Sequence, residues 1–506
     1  MSLPVTDAPH ASSGTRITLY ERATVVTDAL NAFVALRGLL GQDRVFLLES
    51  LAGPDVDRRS SVVGVTGLLR IEVTRGVVSV SGQDRVVTVA RAALGDAGAV
   101  TADGPLLRLR DDDALWELPR IVQDRLVAEG LDDTAYGFGF LTYYGYDAVR
   151  YIEALPRLIP DPVDDADAVP DATFELTHGI VEVDLRTGTA VLRSAECDLW
   201  EPADVDAIVR ALELAAQQPR RTDLPQVPPP QAVTDSIDRD GYLAGVEVCL
   251  EHIRVGDIYQ VQYGHEIRVT SEVDDVSVYQ RLRMRNPSPY MAVLPVAGRM
   301  VVCASPELFL RTEAGVATMR PIAGTARRTG DPDQDAAAVA RLRADEKEVA
   351  EHIMLVDLCR NDLGRVAAPM SIDVDELMVV ENYSHMFHLV SNVTIRIREG
   401  VEPYELIRAT FPAGTMTGAP KVRAMEIIEQ RETSRRGLYA GAFGLVGAGG
   451  WSNLGLGIRM VTKQGPHYVL RASAGVVADS VPASEWSETL AKMGASYWAV
   501  AGEELS

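Results

Sequence analysis

The stretch SSVVGVTGLLRIEVTRGVVSVSG, residues 60–82, decides the fold class of the first part of the chain. Its short runs of β-branched residues are bounded by glycines, and such runs predict strands joined by tight turns. Two helix-like stretches lie on either side of it, near Val25–Leu40 and Asp113–Glu129. Strands interrupted by a few helices indicate an α+β unit that runs from about Ile17 to Leu214.

A proline-rich segment divides the chain. Residues 217–236, QQPRRTDLPQVPPPQAVTDS, hold most of the local proline and little apolar periodicity, as is typical of a linker. We therefore expect an N-terminal part over 1–220, a linker over 221–235 and a C-terminal part over 236–506. Amphipathic helices such as 335–358 alternate with apolar strands in the C-terminal part, so that part is also α+β.

Composition and charge exclude several classes of function. A chain of 506 residues with 47% hydrophobic residues can bury more than one domain-sized core. Its formal net charge of −23 argues against nucleic acid or an anionic membrane as a partner. The first residues are polar, no apolar run is long enough to cross a bilayer, and the four cysteines lack zinc-site or disulfide spacing. We expect a cytoplasmic protein with reduced thiols.

Acidic residues recur at helical spacing in two places. In DEKEVAEHIMLVDL, residues 345–358, the apolar periodicity predicts a helix with Glu348 and Glu351 on one face. Glu485 and Glu488 repeat this spacing in ASEWSETLAKM. Two such helices facing each other would gather four carboxylates around one Mg²⁺ ion. The alternative is that each pair is only the solvated face of a helix.

Small-residue segments form a second signal. FPAGTMTGAPKVRAMEIIEQ, residues 411–430, places Gly-Thr and Gly-Ala-Pro before a predicted helix with Pro420 at its first position. ASAGVVADS at 472–480 and PIAGTARRTG at 321–330 predict further turns. Backbone N–H groups in such turns, and the N-terminus of a helix, can bind an oxyanion. Taken singly, each is also compatible with an ordinary loop.

Long motifs along the chain resemble those of one family. From residue 321 onward the sequence contains, in order, PIAGT, EHIMLVDLCRNDLGRV, SHMFHLVS, FPAGTMTGAPKVRAMEII, YAGAFG, IRMV, SAGVVADS and EWSET, and before them LLES, YGYDAVRYIE, GDIYQV, NPSPYM and ASPELF. This set is similar to the chorismate-utilising family, and within it to anthranilate synthase component I. The resemblance implies a two-part fold in which antiparallel β-sheets pack in a sandwich with outer helices, and an active site in the C-terminal part.

The resemblance also assigns roles to single residues. It implies that Mg²⁺ is held by Glu348, Glu351, Glu485 and Glu488. It implies that chorismate, a dicarboxylate, is bound by Gly324, Thr325, Tyr439, Arg459, Ala474 and Gly475. A guanidinium offers bidentate geometry to a carboxylate, which suits Arg459. For Tyr439 a plain core position is an alternative.

Two positions indicate the nucleophile. Relatives that aminate through a covalent lysine have that lysine where this chain has Ala323, so direct attack at ring carbon C2 is expected. Relatives that use water have a lysine base where this chain has Gln260, and a glutamine amide cannot serve as that base. The resemblance therefore implies ammonia as nucleophile and 2-amino-2-deoxyisochorismate as intermediate.

A second step would yield anthranilate by loss of pyruvate. His388 matches the histidine associated with that elimination, and an ordinary imidazole pKa suits proton transfer near neutrality. Thr415 matches a pocket threonine that affects the same step. Both favour anthranilate as the product.

Several departures from the family pattern keep an alternative open. After GDIYQV the chain reads QYGHEI, where the pattern continues (V)(P/L)S(Q/R)RF, and Ser473 and Met460 replace a usual glycine and threonine. These changes lie near the expected substrate. A synthase of specialised metabolism that releases 2-amino-2-deoxyisochorismate is the alternative function.

LLES and NPSPYM resemble a feedback site for tryptophan. The residues implied in binding are Glu49, Ser50, Asn286, Pro287 and Met291. NPSPYMAVL lacks the aromatic residue that usually follows the methionine, so tryptophan inhibition is an open expectation.

Ammonia requires a source. The 506 residues contain no glutaminase motif, so the resemblance implies a separate glutamine amidotransferase subunit and a hetero-oligomer. A non-enzymatic protein that binds chorismate or tryptophan is a further alternative, although the four glutamates, His388 and Arg459 are all present.

Overall fold

The computed structural model describes residues 14–160, 168–383 and 386–505. Within these residues, two 13-stranded sheets pack face to face and the helices lie outside them. The opening stretch 60–82 supplies strands to both sheets, because the chain crosses from one sheet to the other at Gly67, where φ is +101°. This crossing links the two layers of the fold.

The first sheet, called sheet one, contains strands from both ends of the chain. In spatial order its strands are β13 (Ala232–Asp235), β14 (Gln260–Thr270), β26 (His467–Val476), β25 (Met460–Gln464), β16 (Arg299–Ser305), β15 (Tyr290–Val296), β2 (Val45–Glu49), β3 (Ser60–Val65), β11 (Gly179–Asp184), β12 (Ala190–Glu196), β1 (Thr15–Thr24) and β8 (Leu126–Ala128), with β22 (Gly418–Ala419) paired to β14. β1 and β8 pair in parallel, whereas β14 and β26 form a long antiparallel pair.

The second sheet, called sheet two, is antiparallel. In spatial order its strands are β19 (Ile322–Arg327), β21 (Met386–Arg396), β18 (Val316–Met319), β17 (Leu308–Glu313), β24 (Ser452–Leu456), β23 (Ala442–Gly447), β9 (Gly139–Tyr144), β10 (Ala172–Leu176), β4 (Leu69–Thr74), β5 (Val77–Gly82), β7 (Leu106–Leu109) and β6 (Val100–Asp103), with β20 (Asp373–Asn382) paired to β21. β4 and β5 form a tight hairpin through Arg75 and Gly76, which both have positive φ.

Helices cover the outer faces of the two sheets. They are α1 (Ala29–Leu40), α2 (Asp84–Asp96), α3 (Ala114–Gln123), α4 (Val205–Ala216), α5 (Arg239–Arg254), α6 (Asp275–Arg285), α7 (Pro332–Ala344), α8 (Glu346–Gly364), α9 (Pro403–Thr410), α10 (Lys421–Arg431) and α11 (Pro482–Ala501). No helix in the described ranges combines the length and the apolar character that a bilayer crossing requires.

The sandwich core lies between the inner faces of the sheets. Phe46 of sheet one packs in one apolar cluster with Leu141 and Phe443 of sheet two. On its outer face, sheet one packs against helices that include α1 and α6, for example through Phe33 and Leu282. A comparable cluster joins the outer face of sheet two to α2, α3 and α8. The predicted α+β class, with antiparallel sheets in a sandwich and outer helices, is confirmed.

Strands from both sides of the proline-rich segment enter both sheets. In sheet two, for example, β9 pairs with β23, about 300 positions later in the sequence. The segment 221–231 itself has no helix or strand, and β13 follows at Ala232–Asp235. The parts 1–220 and 236–506 therefore share one core, and their division into a regulatory and a catalytic part stays a prediction.

The predicted helix over 335–358 is wrong in one respect, because the chain forms two helices there. Asp345 has an extended backbone between α7 and α8. Its carboxylate accepts hydrogen bonds from the N–H groups of Lys347 and Glu348, at 3.0 and 3.2 Å. An aspartate in this role starts a new helix. Similarly, Pro420 is the N-cap of α10 rather than its first helical residue.

Candidate active site

Two paired strands of sheet one carry polar residues on a shared face. In the β14–β26 pair, Gln262 lies opposite Gly475 and Gly264 lies opposite Ser473. Because side chains alternate along a strand, Gln260 and Gln262 share one face with Ser473. This face brings together the predicted residues Gln260 and Gly475.

The segment 472–480 does not begin with the predicted turn, because it continues β26 as far as Val476. Ala474 pairs with Tyr263 and its side chain is buried. The chain turns only afterwards, where Val477 N–H donates to Ser480 Oγ at 3.0 Å. α11 follows and packs against β26.

Four carboxylates from α8 and α11 influence one another. Burial raises the pKa of Glu348, and the neighbouring charges of Asp345 and Glu488 raise it further. Burial also raises the pKa of Glu351, with a second contribution from Glu348. Glu485 on α11 behaves in the same way, through burial and the charge of Glu488. The two helices therefore present their acidic residues to a common region.

The donor chemistry of this region suits Mg²⁺. Carboxylate oxygens are preferred ligands of that ion, and a cation would relieve their mutual repulsion. Across 14–160, 168–383 and 386–505, no three Asp, Glu, His or Cys side chains are close enough together to enclose a metal ion. Instead Glu488 lies 2.6 Å from Lys492 Nζ, and Glu351 is held by Gln260. The assignment of the four glutamates as ligands stays a prediction.

Gln260 and Gly475 lie directly beside Glu351. Gln260 Nε2 donates to Glu351 Oε1 at 2.7 Å, while Gln260 Oε1 is buried and has no hydrogen-bond partner in the described part of the chain. A Cβ on Gly475 would lie 2.9 Å from Gln260 Nε2 and 3.0 Å from Gln262 Nε2. Glycine at 475 thus leaves room for the two amides. An unsatisfied buried acceptor costs about 1–3 kcal/mol, so Gln260 Oε1 is suited to a ligand that donates.

Residues 321–330 do not form the predicted Gly-Thr turn. They enter β19, which pairs with β21 and has a bulge between Ala323 and Thr325. Gly324 has a φ of +63°, a conformation that glycine adopts without strain. A Cβ on Gly324 would lie 3.1 Å from Glu348 Oε2. The bulge therefore brings Gly324 against the acidic face of α8.

His388 lies beside this bulge. Its Nδ1 is 3.2 Å from Gly324 O and 3.3 Å from Thr325 Oγ1. Because a carbonyl oxygen only accepts, Nδ1 carries the proton and Nε2 keeps its lone pair. The ring of His388 packs edge-on against Tyr383, with 5.0 Å between ring centroids.

The ordinary imidazole pKa expected for His388 does not hold in this environment. Burial lowers the pKa of His388 to about 4; the hydrogen bond to the Gly324 backbone opposes this shift and the charge of Arg459 adds to it. The imidazole is therefore neutral at pH 7, and it can accept a proton but not donate one as a cation.

Arg459 and Lys492 bring positive charge to the acidic helices. Arg459 precedes β25, and its Nη1 donates to Lys492 O at 3.0 Å. Burial lowers the pKa of Arg459, but a guanidinium stays charged at neutral pH. Lys492 Nζ contacts Glu488 and donates to Ser473 O at 2.9 Å. Lys492 was not predicted, although its i, i+4 spacing from Glu488 on α11 is visible in the sequence.

Glu307 is a second residue that the sequence prediction missed. It is 7% exposed, and its Oε1 accepts a hydrogen bond from Thr415 Oγ1 at 2.8 Å. Burial raises the pKa of Glu307 to about 8, against the hydrogen bond from Thr415 and the charge of Lys492. At neutral pH the carboxyl group is thus largely protonated. The motif ASPELF contains this residue, but nothing in its local pattern signals that the side chain is buried.

Tyr439 lies between this region and a separate cavity. Its side chain is buried, and its hydroxyl is 3.0 Å from Ser473 Oγ. The cavity has a volume of about 1020 Å³, and its lining includes Tyr439, Arg268 and Arg471. The four predicted metal ligands do not line it. The cavity is therefore not the pocket that the sequence predicts, and Tyr439 contacts the β14–β26 face through Ser473.

The predicted tryptophan site lies elsewhere in sheet one. Glu49 and Met291 are cross-strand neighbours in β2 and β15, Ser50 follows β2, and Asn286 and Pro287 follow α6. The buried carboxylate of Glu49 accepts from Tyr279 at 2.6 Å and from Arg283 at 3.0 Å. An amino acid at this position would have to compete with Arg283. Tryptophan binding stays a prediction.

Comparison with known proteins identifies the family to which the chain belongs. A family model described as chorismate binding enzyme matches residues 84–497. A 2-amino-4-deoxychorismate synthase from Streptomyces globisporus is 49% identical over 505 residues, covering 99% of this chain and 100% of the relative. Anthranilate synthase component 1 from Acinetobacter calcoaceticus is 34% identical over 494 residues, covering 94% and 93% of the two chains.

Solved structures show the same fold. Anthranilate synthase component I from Streptococcus pneumoniae TIGR4 superposes with a TM-score of 0.70 at 28% identity, covering 87% of this chain and 92% of that one. The menaquinone-specific isochorismate synthase of Escherichia coli gives a TM-score of 0.65 at 16% identity, covering 96% and 95%. With a family model that spans most of its length and a relative of such high identity, the chain belongs to the chorismate binding enzyme family.

Proposed function

We propose that this protein converts chorismate and ammonia into 2-amino-2-deoxyisochorismate and releases that compound as its product. The similarity to the Streptomyces globisporus synthase, 49% over nearly the full length of both chains, carries this proposal. The product in that relative's name has an amino group at C2 and no hydroxyl at C4. This is the connectivity of the amino compound expected from Ala323 and Gln260.

The site supports direct attack by ammonia. Ala323 offers no nucleophile for a covalent adduct. Gln260 is neutral, and its Oε1, which has no partner among the described residues, is available to accept an N–H of ammonia, which leaves the nitrogen lone pair free to attack. The N–C2 bond forms as the C4–O bond breaks, the ring double bonds shift, and the new ammonium group loses a proton.

We assign to Glu307 the protonation of the hydroxyl group that leaves from C4. A hydroxide leaves poorly, so the C4 oxygen needs a proton as its bond to carbon breaks. Glu307 holds such a proton at neutral pH because burial raises its pKa to about 8. Its hydrogen bond from Thr415 fixes the carboxyl group and leaves the second oxygen for the substrate. The hydroxyl then departs as water, and the proton that the new ammonium group loses restores the acid form of Glu307.

Positive charge is required to bind a dicarboxylate in a protein of net charge −23. Arg459 is suited to one substrate carboxylate, and the backbone around Gly324, Thr325 and Gly475 to neighbouring oxygens. Glu348, Glu351, Glu485 and Glu488 would hold Mg²⁺, which when bound supplies charge that neutralises a carboxylate and the developing negative charge.

Anthranilate formation is a second candidate. His388 favours it, because its neutral ring has a free Nε2 that could take the C2 proton while the enolpyruvyl C–O bond breaks and pyruvate leaves. Relatives that are named anthranilate synthases are 34–40% identical to the chain over the matched residues. We rank this reaction second because the more similar relative is named for the aminated product.

Ammonia would come from a glutamine amidotransferase subunit in a cytoplasmic hetero-oligomer. Tryptophan inhibition through Glu49 and Met291 is part of the same proposal. Free ammonium should replace the partner in vitro. A titration with tryptophan that gives neither heat nor loss of activity would remove the inhibition.

The purified chain, incubated with chorismate, Mg²⁺ and ammonium at mildly alkaline pH, tests the proposal through liquid chromatography and mass spectrometry. We expect a product with the mass of chorismate plus ammonia minus water, and none without ammonium. Anthranilate as the sole product would replace the proposal by the second candidate. Isochorismate, or no reaction at all, would contradict both.

A further inference from the structure

Two residues at which the chain departs from the family pattern, Gln262 and Ser473, contact each other on the inner face of sheet one. Ser473 Oγ is 3.0 Å from Gln262 Oε1 and 3.0 Å from Tyr439 Oη. All three side chains are buried. Gln262 belongs to QYGHEI, a segment that departs from the pattern, and Ser473 is another such position.

The directions of these hydrogen bonds are fixed by chemistry. An amide oxygen only accepts, so Ser473 donates its single proton to Gln262 Oε1. Ser473 Oγ must then accept from Tyr439, whose hydroxyl is the remaining donor. Gln262 is held with its oxygen toward Ser473 and its Nε2 toward Gly475, since Nε2 lies 3.0 Å from the position of a Cβ on Gly475.

The backbone makes room for this arrangement at two positions. Gly264 lies opposite Ser473, and a Cβ on Gly264 would come within 2.9 Å of Ser473 Cβ and 2.4 Å of Ala472 O. Gly475 lies opposite Gln262. The hydroxyl of Ser473 therefore lies where it can hold Gln262.

Gln262 Nε2 is left with unused N–H donors. Among the described residues, no hydrogen bond from Nε2 is formed, and the nearby carboxylate of Glu351 is occupied by Gln260 Nε2. Gln260 Oε1 has no partner either, so the two amides do not satisfy each other. An N–H donor beside Gly475, on the face of sheet one that also carries Gln260, is suited to a negatively charged oxygen of a ligand.

We propose that Ser473 is a positioning residue that fixes the Gln262 amide so that Nε2 donates to a carboxylate oxygen of the ring dicarboxylate substrate. The inference rests on the proposed function for the identity of that substrate. Without the hydroxyl of Ser473, the amide of Gln262 is free to rotate and to present its oxygen, which repels a carboxylate. Ser473 therefore affects the binding of the dicarboxylate and not that of ammonia.

Steady-state kinetics of Ser473→Ala and Ser473→Thr test this role. For Ser473→Ala we expect KM for chorismate to rise about tenfold, as for the loss of one hydrogen bond to a charged group, with KM for ammonium within twofold of the unchanged protein. Ser473→Thr keeps the hydroxyl, so its KM for chorismate should return to within threefold. An unchanged KM for chorismate in Ser473→Ala, or an equal rise in both KM values, would overturn the proposal.

Gln262→Glu is a second variant in case Ser473→Ala does not fold. Glutamate still accepts from Ser473 but replaces the N–H donor with an anionic oxygen, so KM for chorismate should rise more than tenfold. An unchanged KM would contradict the role of Gln262. If the unchanged protein makes another product from chorismate, the proposed function fails while the KM comparison still decides the role of Ser473. Without turnover, chorismate dissociation constants replace KM, and no binding at all would overturn both proposals.

Discussion

At the scale of single residues, burial shifts the pKa values of two side chains in opposite directions. It raises the pKa of Glu307 to about 8 and lowers that of His388 to about 4. At pH 7 both groups are uncharged, Glu307 as an acid with a proton to give and His388 as a base with a lone pair. Environments that push two pKa values apart define acid and base roles.

Glu307→Gln should lower kcat about 100-fold or more with little change in KM for chorismate, because the amide keeps an acceptor for Thr415 but has no acidic proton. In the unchanged protein, kcat should decline above about pH 8 as Glu307 loses its proton. Glu399→Gln removes an exposed carboxylate and serves as the control. A Glu307→Gln variant with normal kcat would rule out the acid role.

Glu307 should also affect stability. Its folded pKa of about 8 exceeds the ordinary value of 4.5, so the folded state binds more protons than the unfolded state between these values. This contribution to stability is full below pH 4.5 and is lost as the pH rises through 8. Thermal midpoints should therefore fall less steeply over this range in Glu307→Gln. Identical slopes in the two proteins would contradict the raised pKa.

His388→Asn separates the two candidate reactions. If the amino compound is the released product, chorismate consumption should stay within about threefold and any trace of anthranilate should disappear, because only elimination needs the base at His388. Product chromatography after equal conversion measures both. A parallel loss of chorismate consumption would show that His388 acts in the first step.

At the scale of elements, the sequence predicted which helices carry the acidic pairs but not the strand geometry around them. Periodicity identifies Glu348 and Glu351 on one helical face because i, i+3 spacing is local. The bulge at Gly324 and the continuation of β26 through Gly475 depend on pairing with distant strands. From the local sequence alone, the small residues in these segments predict turns. The hydroxyl of Ser473 meets Gln262 only through such pairing.

Gly475→Ala tests the space that β26 leaves for the two amides. The added Cβ would lie 2.9 Å from Gln260 Nε2 and 3.4 Å from Glu351 Oε1, so their hydrogen bond must shift. We expect KM for chorismate to rise about tenfold. Gly494→Ala is the control, because its Cβ would meet no atom of the described residues within 4 Å and alanine stabilises a helix by about 0.5–1 kcal/mol. Equal kinetics for both variants would contradict the proposed pocket.

Glu488→Gln tests the acidic faces of α8 and α11 as a metal site. Losing one of four carboxylates should raise the Mg²⁺ concentration needed for half-maximal activity about tenfold, and calorimetry of Mg²⁺ alone should show the same weakening. The exposed Glu346 on α8 gives a matched control, Glu346→Gln. Unchanged Mg²⁺ binding in Glu488→Gln would remove this residue from the site.

At the scale of the whole molecule, the α+β class follows from sequence patterns, but the sharing of strands between the two halves does not. β9 and β23 lie far apart in sequence, and no local pattern encodes their pairing. The composition of the proline-rich segment disfavours helices and strands and therefore predicts a domain boundary. In the structure, however, the parts of the chain before and after this segment share a single sandwich core. The sandwich of antiparallel sheets was predicted from the resemblance of long motifs to a known family, and not from hydrophobic periodicity.

The most direct test of the central claim compares pyruvate release with chorismate consumption. The purified chain receives chorismate, Mg²⁺ and ¹⁵N-labelled ammonium, and pyruvate is measured with a lactate dehydrogenase assay while mass spectrometry follows the labelled product. We predict that chorismate disappears, a singly labelled amino compound accumulates and almost no pyruvate forms. Pyruvate released in equal amount to the chorismate consumed would contradict this account and identify the reaction as anthranilate synthesis.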